Sequence, residues 1–503
     1  MRLSSTLLPL FRFLLPPTLI ALTYVDLYPF LQQCSFPPAK RAETVCHFDG
    51  SDPTAAARAE IAPFRLLAFA DPQLEGDTSL PDPNAAWLPS LARVGEVGVL
   101  GAVQGVVRRD VPGLLQGYRK KLDLWGNDLY LAHVYRMVDW WTQPTHTVVL
   151  GDLLGSQWIG DEEFSRRTSR FWNRVFSGGA KVPRNVTHVS GRIEVLGQDN
   201  AWRKRLIAVA GNHDIGYAGD INEHRLERFE SAFGSVNWEI RFRLVNDTQP
   251  TSSSFPNVLQ TVTPPTLHLV ILNSMNLDTP AYNPELQQQS LDFLDAQLHP
   301  YNHPRNSGTV ILTHVPLHKK QGVCVDAPYF SYFPENQGGG IREQNHLSPD
   351  ISLRILDGLV PEGSGGGTAV VLNGHDHEGC DTFHQRDYSK DDEGSGEGSW
   401  GASRFNSAKL QGTHGGDAGL REITVRSMMG SYGGNAGLLS AWFDAEAGKW
   451  RSEYETCMFG VQHFWWAAHV LALVEVGLGL GGLGFLLRDR WSDGAQGGKV
   501  KKA

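Results

Sequence analysis

Along the middle of the chain, apolar runs of strand length alternate with stretches of helical periodicity. The strand-like runs are residues 64–71 (FRLLAFAD), 146–152 (HTVVLGD), 206–214 (LIAVAGNHD), 267–274 (LHLVILNS), 309–316 (TVILTHVP) and 369–377 (AVVLNGHDH). Each is rich in Val, Ile and Leu and ends in polar residues, the pattern of a short buried strand. Helical patterns occupy 128–141, 163–176, 222–234 and 284–298. Strands alternating with helices predict an α/β fold with layered sheets. Three stretches, 74–117, 332–368 and 386–418, exceed ordinary loops and read as insertions. The last is polar and Gly/Ser-rich, a composition that does not build a core.

Two longer apolar stretches lie outside this region. Residues 461–487 are long enough to cross a hydrocarbon layer of about 30 Å. Trp465 and Trp466 stand at one end and Arg488 and Arg490 at the other, as interfacial aromatics and flanking cations do. Glu475 interrupts the run near its middle, where it would pair inside the membrane or mark a functional contact. Residues 6–31 are also apolar, broken by Arg12, Pro16 and Pro17. They read as an uncleaved signal anchor over 1–32; a cleaved signal peptide is the rival. Residues 33–63 are then a linker, 64–456 the folded domain and 488–503 a basic tail. The cations flanking both spans put both termini in the cytosol by the positive-inside rule. The domain between them falls in the secretory lumen, where the sequons at Asn185 and Asn246 suit glycosylation. The final KVKKA places Lys499 and Lys501 fifth and third from the end, similar to the dilysine signal by which a retrieval coat returns proteins to the endoplasmic reticulum.

Bulk composition changes this picture little. A net charge of -9 argues against a nucleic-acid partner. Five cysteines are too few for a disulfide scaffold. Cys34 and Cys46, close together after the first span, could pair. Cys324 and Cys380 could pair if their loops meet, which leaves Cys457 over.

The candidate chemistry sits at the strand ends. Asp71 and Gln73 follow the first run and Asp152 the second. Asn212, His213 and Asp214 follow the third, His314 a later one, and His375 and His377 the last. Ligands of α/β sheets bind beyond the carboxyl ends of the strands. Five strand ends that all deliver Asp, Asn, Gln or His therefore point to one site. Carboxylate, amide oxygen and imidazole suit manganese, iron or zinc, and the absence of cysteine speaks against a structural zinc site.

The ordered set D-x-Q, G-D, G-N-H-D, H, G-H-D-H resembles the calcineurin-like metallophosphoesterase family over roughly residues 64–435. That resemblance implies a two-sheet α/β sandwich with flanking helices, here with a transmembrane helix at each end. It implies two divalent metal ions, with manganese preferred and iron or zinc as alternatives. Asp71, Gln73, Asp152 and His377 would surround the first ion. Asp152, Asn212, His314 and His375 would surround the second, with Asp152 bridging. His213 would act on the phosphoryl or leaving oxygen, and Asp214 would orient its imidazole. Gln73 departs from the family's histidine, so it is either a weak neutral ligand or a neighbour of the ligands.

FADPQLEGD, NDLYLAHVYR and the two flanking spans resemble one branch of the family, the endoplasmic-reticulum phosphodiesterases that remodel glycosylphosphatidylinositol (GPI) anchors. The branch implies removal of ethanolamine phosphate from a glycan mannose, manganese dependence, and export of GPI-anchored proteins with p24-type cargo receptors. Two alternatives stand beside it. One is action on another lipid-linked or protein phosphate; the other is a weakly active cargo adaptor, which only Gln73 favours.

Overall fold

All six strand-like runs form strands, and these make the centres of two sheets. The computed structural model describes residues 3–39, 60–76, 86–245, 263–324, 327–361, 368–387, 399–405, 419–460 and 462–500, the last eight as backbone only. In chain order the strands are β1 (Phe64–Phe69), β2 (His146–Leu150), β3 (Ala180–Lys181), β4 (Ile193–Val195), β5 (Arg205–Val209), β6 (Trp238–Arg243), β7 (Thr266–Ile271) and β8 (Ser307–Leu312). There follow β9 (Phe330–Tyr332), β10 (Ile341–Gln344), β11 (Thr368–Asn373), β12 (Cys380–Asp387), β13 (Ser399–Arg404), β14 (Gly419–Thr424), β15 (Asn435–Asp444) and β16 (Lys449–Met458).

One sheet has the order β16-β15-β1-β2-β5-β3 and the other β13-β12-β14-β11-β8-β7-β6-β4. β1, β2 and β5 are mutually parallel, and so are β7, β8, β11 and β14. Side chains alternate across each strand. Phe64, Leu66 and Ala68 therefore join Leu267, Leu269, Val310 and Val370 in the core between the sheets. Leu67 and Phe69 point the other way, onto Leu131, Val134 and Val138 of the long helix Val111–Thr142. Burial on both faces explains why these strands read as continuous apolar runs.

Residues 86–117, described within the expected insertion 74–117, are more regular than an insertion between a strand and its helix suggests. They hold the helices Pro89–Ala92 and Val94–Gly105 and the π-turn Val106–Asp110, which leads directly into Val111–Thr142. Over Val94–Gly105 the apolar residues surround the helix rather than striping one face, so no helical period marks it.

The helices Ser4–Asp26 and Gln462–Ser492 are both long and apolar enough to cross a membrane, and they pack along one another. A Cβ on Gly482 would meet Leu8, and one on Gly479 would meet Phe11, so small residues allow the close approach. Ser4 Oγ donates to Asp489 Oδ2 at 2.6 Å. Glu475 is buried, and neither carboxylate oxygen has a hydrogen-bond partner.

This pairing corrects the cysteine reading. Cys34 bonds Cys457, not Cys46, because the two helices bring the residue after one beside the residue before the other. A separation of 423 residues hides that contact from spacing. Cys324 bonds Cys380. Asn185 is exposed on the short helix Arg184–Thr187. Asn246, Cys46, Lys501 and the Lys499 side chain lie outside the described residues.

Candidate metal centre

The loops after β1, β2, β5, β8 and β11 converge between the two sheets. Their backbone is unusual. Seven non-glycine residues have positive φ among the described residues, and four of them are Asp71 (51°), Gln73 (40°), Asp152 (50°) and His375 (73°). Each left-handed non-glycine residue costs on the order of 1–3 kcal/mol, and such strain clusters at functional sites. Cross-loop bonds hold it in place: Gln73 N donates to Asp152 O at 2.8 Å, and Leu74 N to Leu153 O at 3.2 Å. The glycines of the motifs make room. A Cβ on Gly151, itself at φ 86°, would strike the His314 ring, and one on Gly374 would strike Leu150 O.

Two groups of donor atoms result. Asp71, Asp152 and His377 form one, and Asp152, His314 and His375 the other; the donor atoms of each lie within 4.8 Å of one another. Asp152 belongs to both. Asn212 joins the second, its Oδ1 lying 3.0 Å from His314 Nε2 and 3.1 Å from His375 Nδ1. Backbone carbonyls orient the two imidazoles. His314 Nδ1 faces Leu150 O at 2.8 Å, which leaves Nε2 for the site. His375 Nε2 faces Gln344 O at 2.8 Å, which leaves Nδ1. A ring N–H on a carbonyl, with the other nitrogen free, is the arrangement of a metal-binding histidine.

Gln73 lies inside the first group. Its Nε2 is 3.1 Å from Asp152 Oδ2 and 3.1 Å from His377 Nε2. A half-turn of the amide would present Oε1 to the same point. Gln73 would thus be within reach of an ion held by this group, as a ligand through oxygen or as a hydrogen-bond donor to two of its residues.

The electrostatics suit cations. Burial, and then the charge of Asp152, hold the Asp71 carboxyl well above the usual range. Asp71 Oδ2 is buried without a hydrogen-bond partner, as fits a carboxylate oxygen that would bind a cation. Burial pushes His375 down to about 3 and also lowers His314, so both rings are neutral, as ligands must be. Asp71, Asp152 and His314 are fully buried, while His213, His377 and Gln73 are part-exposed, so the centre opens on their side. Tyr432 packs edge-on against His377 at 4.8 Å, and Tyr217 against His375 at 6.2 Å, forming the rim.

His213 stands over this opening. Its Nε2 lies 3.8 Å from Asp152 Oδ2, and its buried Nδ1 has no partner. Asp214 does not orient it. The Asp214 carboxylate instead accepts from the N–H groups of Gly211 (2.9 Å), Leu153 (3.1 Å) and Leu154 (2.9 Å). Residues 212–215 form one helical turn, and adjacent side chains on a helix do not face each other. Asp214 therefore ties the β2 and β5 loops together.

Sequence patterns also missed supporting residues. Buried Glu422 accepts from Leu317 N, Asn373 Nδ2 and His384 Nε2, and pairs with buried Lys319 at 2.8 Å. It so fixes the chain just after His314 and just before His375. Glu422, beside Arg421 and between Leu420 and Ile423 in the short strand GLREIT, carries no sequence signal of its burial.

No protein-family model matches the chain. Individual relatives do. The chain is 31% identical over 408 residues to Protein TED1 of Saccharomyces cerevisiae, covering 71% of this chain and 77% of that protein. It is 30% identical over 313 residues to an uncharacterized protein of Schizosaccharomyces pombe, with 56% and 61% covered. It is 25% identical over 286 residues to Metallophosphoesterase 1 of Xenopus laevis, with 52% and 58% covered. It thus spans less than two thirds of the latter two. The chain belongs to the calcineurin-like metallophosphoesterase family, with Protein TED1 and Metallophosphoesterase 1 among its relatives.

Proposed function

We propose that this chain is a phosphodiesterase of the endoplasmic-reticulum membrane that removes ethanolamine phosphate from a mannose of GPI anchors. The observation that carries the reading is the pair of donor groups sharing Asp152 at five converging strand ends. The similarity to Protein TED1 and the two apolar terminal helices support the branch and the membrane setting. Asp71, Asp152 and His377, with Gln73, would hold one divalent ion; Asp152, Asn212, His314 and His375 would hold a second. Manganese suits a set with so much oxygen. The bound ions would supply an activated water and neutralise the phosphoryl oxygens.

The chain's own residues do the rest. His213, poised over Asp152 with a part-exposed ring, donates from Nε2 to the departing sugar oxygen. Asp214 keeps the His213 backbone in place through its three N–H contacts. The spans hold the site beside a lipid-linked substrate, which raises its effective concentration without tight glycan contacts. The domain would face the lumen and both termini the cytosol. The dilysine-like tail would engage a retrieval coat, and p24-type receptors would take the product onward.

The deciding experiment incubates purified full-length protein with manganese and GPI glycans. Release of ethanolamine phosphate, and its retention in cells lacking the protein, are expected. Preference for phosphomonoesters, with GPI glycans untouched, would reject the reading.

Gln73 has its own test. Gln73→His adds an imidazole beside Asp152 and His377. It is expected to keep activity and to raise zinc affinity about tenfold to a hundredfold relative to manganese. A metal-activation profile identical to wild type would place Gln73 outside the reach of the ion.

A further inference from the structure

The long helix Val111–Thr142 touches the ends of both terminal helices along one stripe. A Cβ on Gly126 would overlap Trp466, and His133 Nε2 lies 3.3 Å from Val25 O. Followed toward its N-terminus at helical spacing, the same stripe continues through Leu122, Tyr118, Leu115 and Val111. Those four residues are exposed, at 54%, 59%, 65% and 41%. The upstream helix extends the apolar surface with Val99, Leu100 and Val103, at 70%, 86% and 51%. So large a run of open apolar side chains is foreign to a water-facing surface.

We propose that this face, residues 94–125, lies in the bilayer interface as a third membrane contact beside the two terminal helices. The Val94–Gly105 segment leaves helical geometry at Gly98 (φ 72°), and from there to Arg108 its apolar run is about 14 Å long at 1.5 Å per residue, too short to cross about 30 Å of hydrocarbon. An apolar helix that cannot span but adjoins spans lies along the headgroup boundary, about 5–10 Å deep. The charge pattern agrees. Arg108, Arg109 and Arg119 are exposed beside the stripe. Trp125 opens a cleft of about 290 Å³ lined by Lys121, Arg166, Arg170 and Arg174, of which the three arginines pair with Asp128 and Glu163, so Lys121 is its cation nearest the stripe for a headgroup phosphate.

The contact bears on the metal centre. Lys120, on this helix, pairs with Glu75 at 2.8 Å, and Arg170 Nη1 donates to Glu75 O at 2.6 Å. Glu75 is two residues from Gln73, at most about 7 Å along the chain. The interfacial helix therefore grips the loop that carries one edge of the centre and holds that edge near the lipid surface.

The inference rests on the terminal helices being embedded, so one label must test that separately. Full-length protein on a Cys46→Ser background is reconstituted in phosphatidylcholine/phosphatidylserine nanodiscs. A polarity-sensitive fluorophore is placed singly at Leu115→Cys, Leu122→Cys, Gln116→Cys, Asp123→Cys and Leu480→Cys, with spin-labelled lipid as quencher. Strong quenching at 115, 122 and 480, and at least threefold less at 116 and 123, is expected. Quenching at 480 with water-like emission at 115 and 122 overturns the interfacial contact alone, including the case in which a protein partner covers the face. Absence of quenching at 480 overturns both the embedding and the inference.

Discussion

Asp152→Asn is expected to empty both donor groups and to lower phosphodiester hydrolysis by about a thousandfold or more. One carboxylate serves both donor groups. Oδ1 accepts from His213 N at 2.8 Å and lies 3.4 Å from His314 Nε2, while Oδ2 lies 3.1 Å from Gln73 Nε2. Asparagine keeps the shape but loses the charge that the two proposed ions would share. Metal assistance is worth several kcal/mol, and about 1.4 kcal/mol is tenfold in rate. Stability gives an independent reading. Without metal, Asp152 and Asp71 repel in a buried site, and that repulsion helps to hold the Asp71 carboxyl high. Burial would raise the Asp152 carboxyl too, but His314, His213 and His375 outweigh it and hold it low, so the two effects oppose and the metal-free variant should stay close to wild type in stability. Wild type alone should gain about 2.7 kcal/mol from manganese at a hundredfold excess over its dissociation constant. Melting curves with and without manganese, metal analysis and turnover check this together. Wild-type metal content in the variant would sink the bridging role.

The strand ends were visible in the sequence because buried parallel strands are continuous apolar runs that stop where chemistry begins. LIAVAGNHD shows the limit of that signal. β5 ends at Val209, and Asn212–Ile215 is already a helical turn, so Asp214 turns away from His213. β12, β13, β14 and β16 left no comparable run, and the buried apolar β15, NAGLLSAWFD, ends in no candidate ligand. β16, KWRSEYETCM, lies at the edge of its sheet and buries only Trp450 and Cys457, and β12 carries buried Thr382 and His384 on a strand that otherwise reads as polar. The Cys34–Cys457 bond and the Glu422 contacts are made between residues far apart in sequence, and spacing carries no trace of them. Gln73 is intermediate. Its place was legible from D-x-Q, but its contact with both Asp152 and His377 needed the fold.

Lys319→Met is expected to destabilise the domain by about 3–5 kcal/mol, the cost of stranding one member of a buried ion pair. Lys319 is 2% exposed and Glu422 fully buried. Lys319 Nζ lies 2.8 Å from Glu422 Oε2 and 2.9 Å from Leu317 O. Burial alone would raise the Glu422 carboxyl; Lys319 and then His384 outweigh it and hold it well below the usual range. A depressed carboxyl contributes stability above its unfolded value of about 4.3, and that contribution fades as pH falls below it. Without Lys319 the carboxylate is held less firmly and takes up a proton at higher pH. The penalty should therefore be larger at pH 7.5 than at pH 5. Removing both charges relieves most of the cost, so Lys319→Met with Glu422→Gln should recover at least half of the loss. Denaturant melts of the single and double variants at the two pH values measure each term. A single variant within about 1 kcal/mol of wild type would mean that the pair does not hold this region. The effect should reach the metal centre as well. Glu422 holds Leu317, three residues past His314, and Asn373, two before His375, so loosening it frees the two loops whose imidazoles must meet Asn212 and Asp152 together.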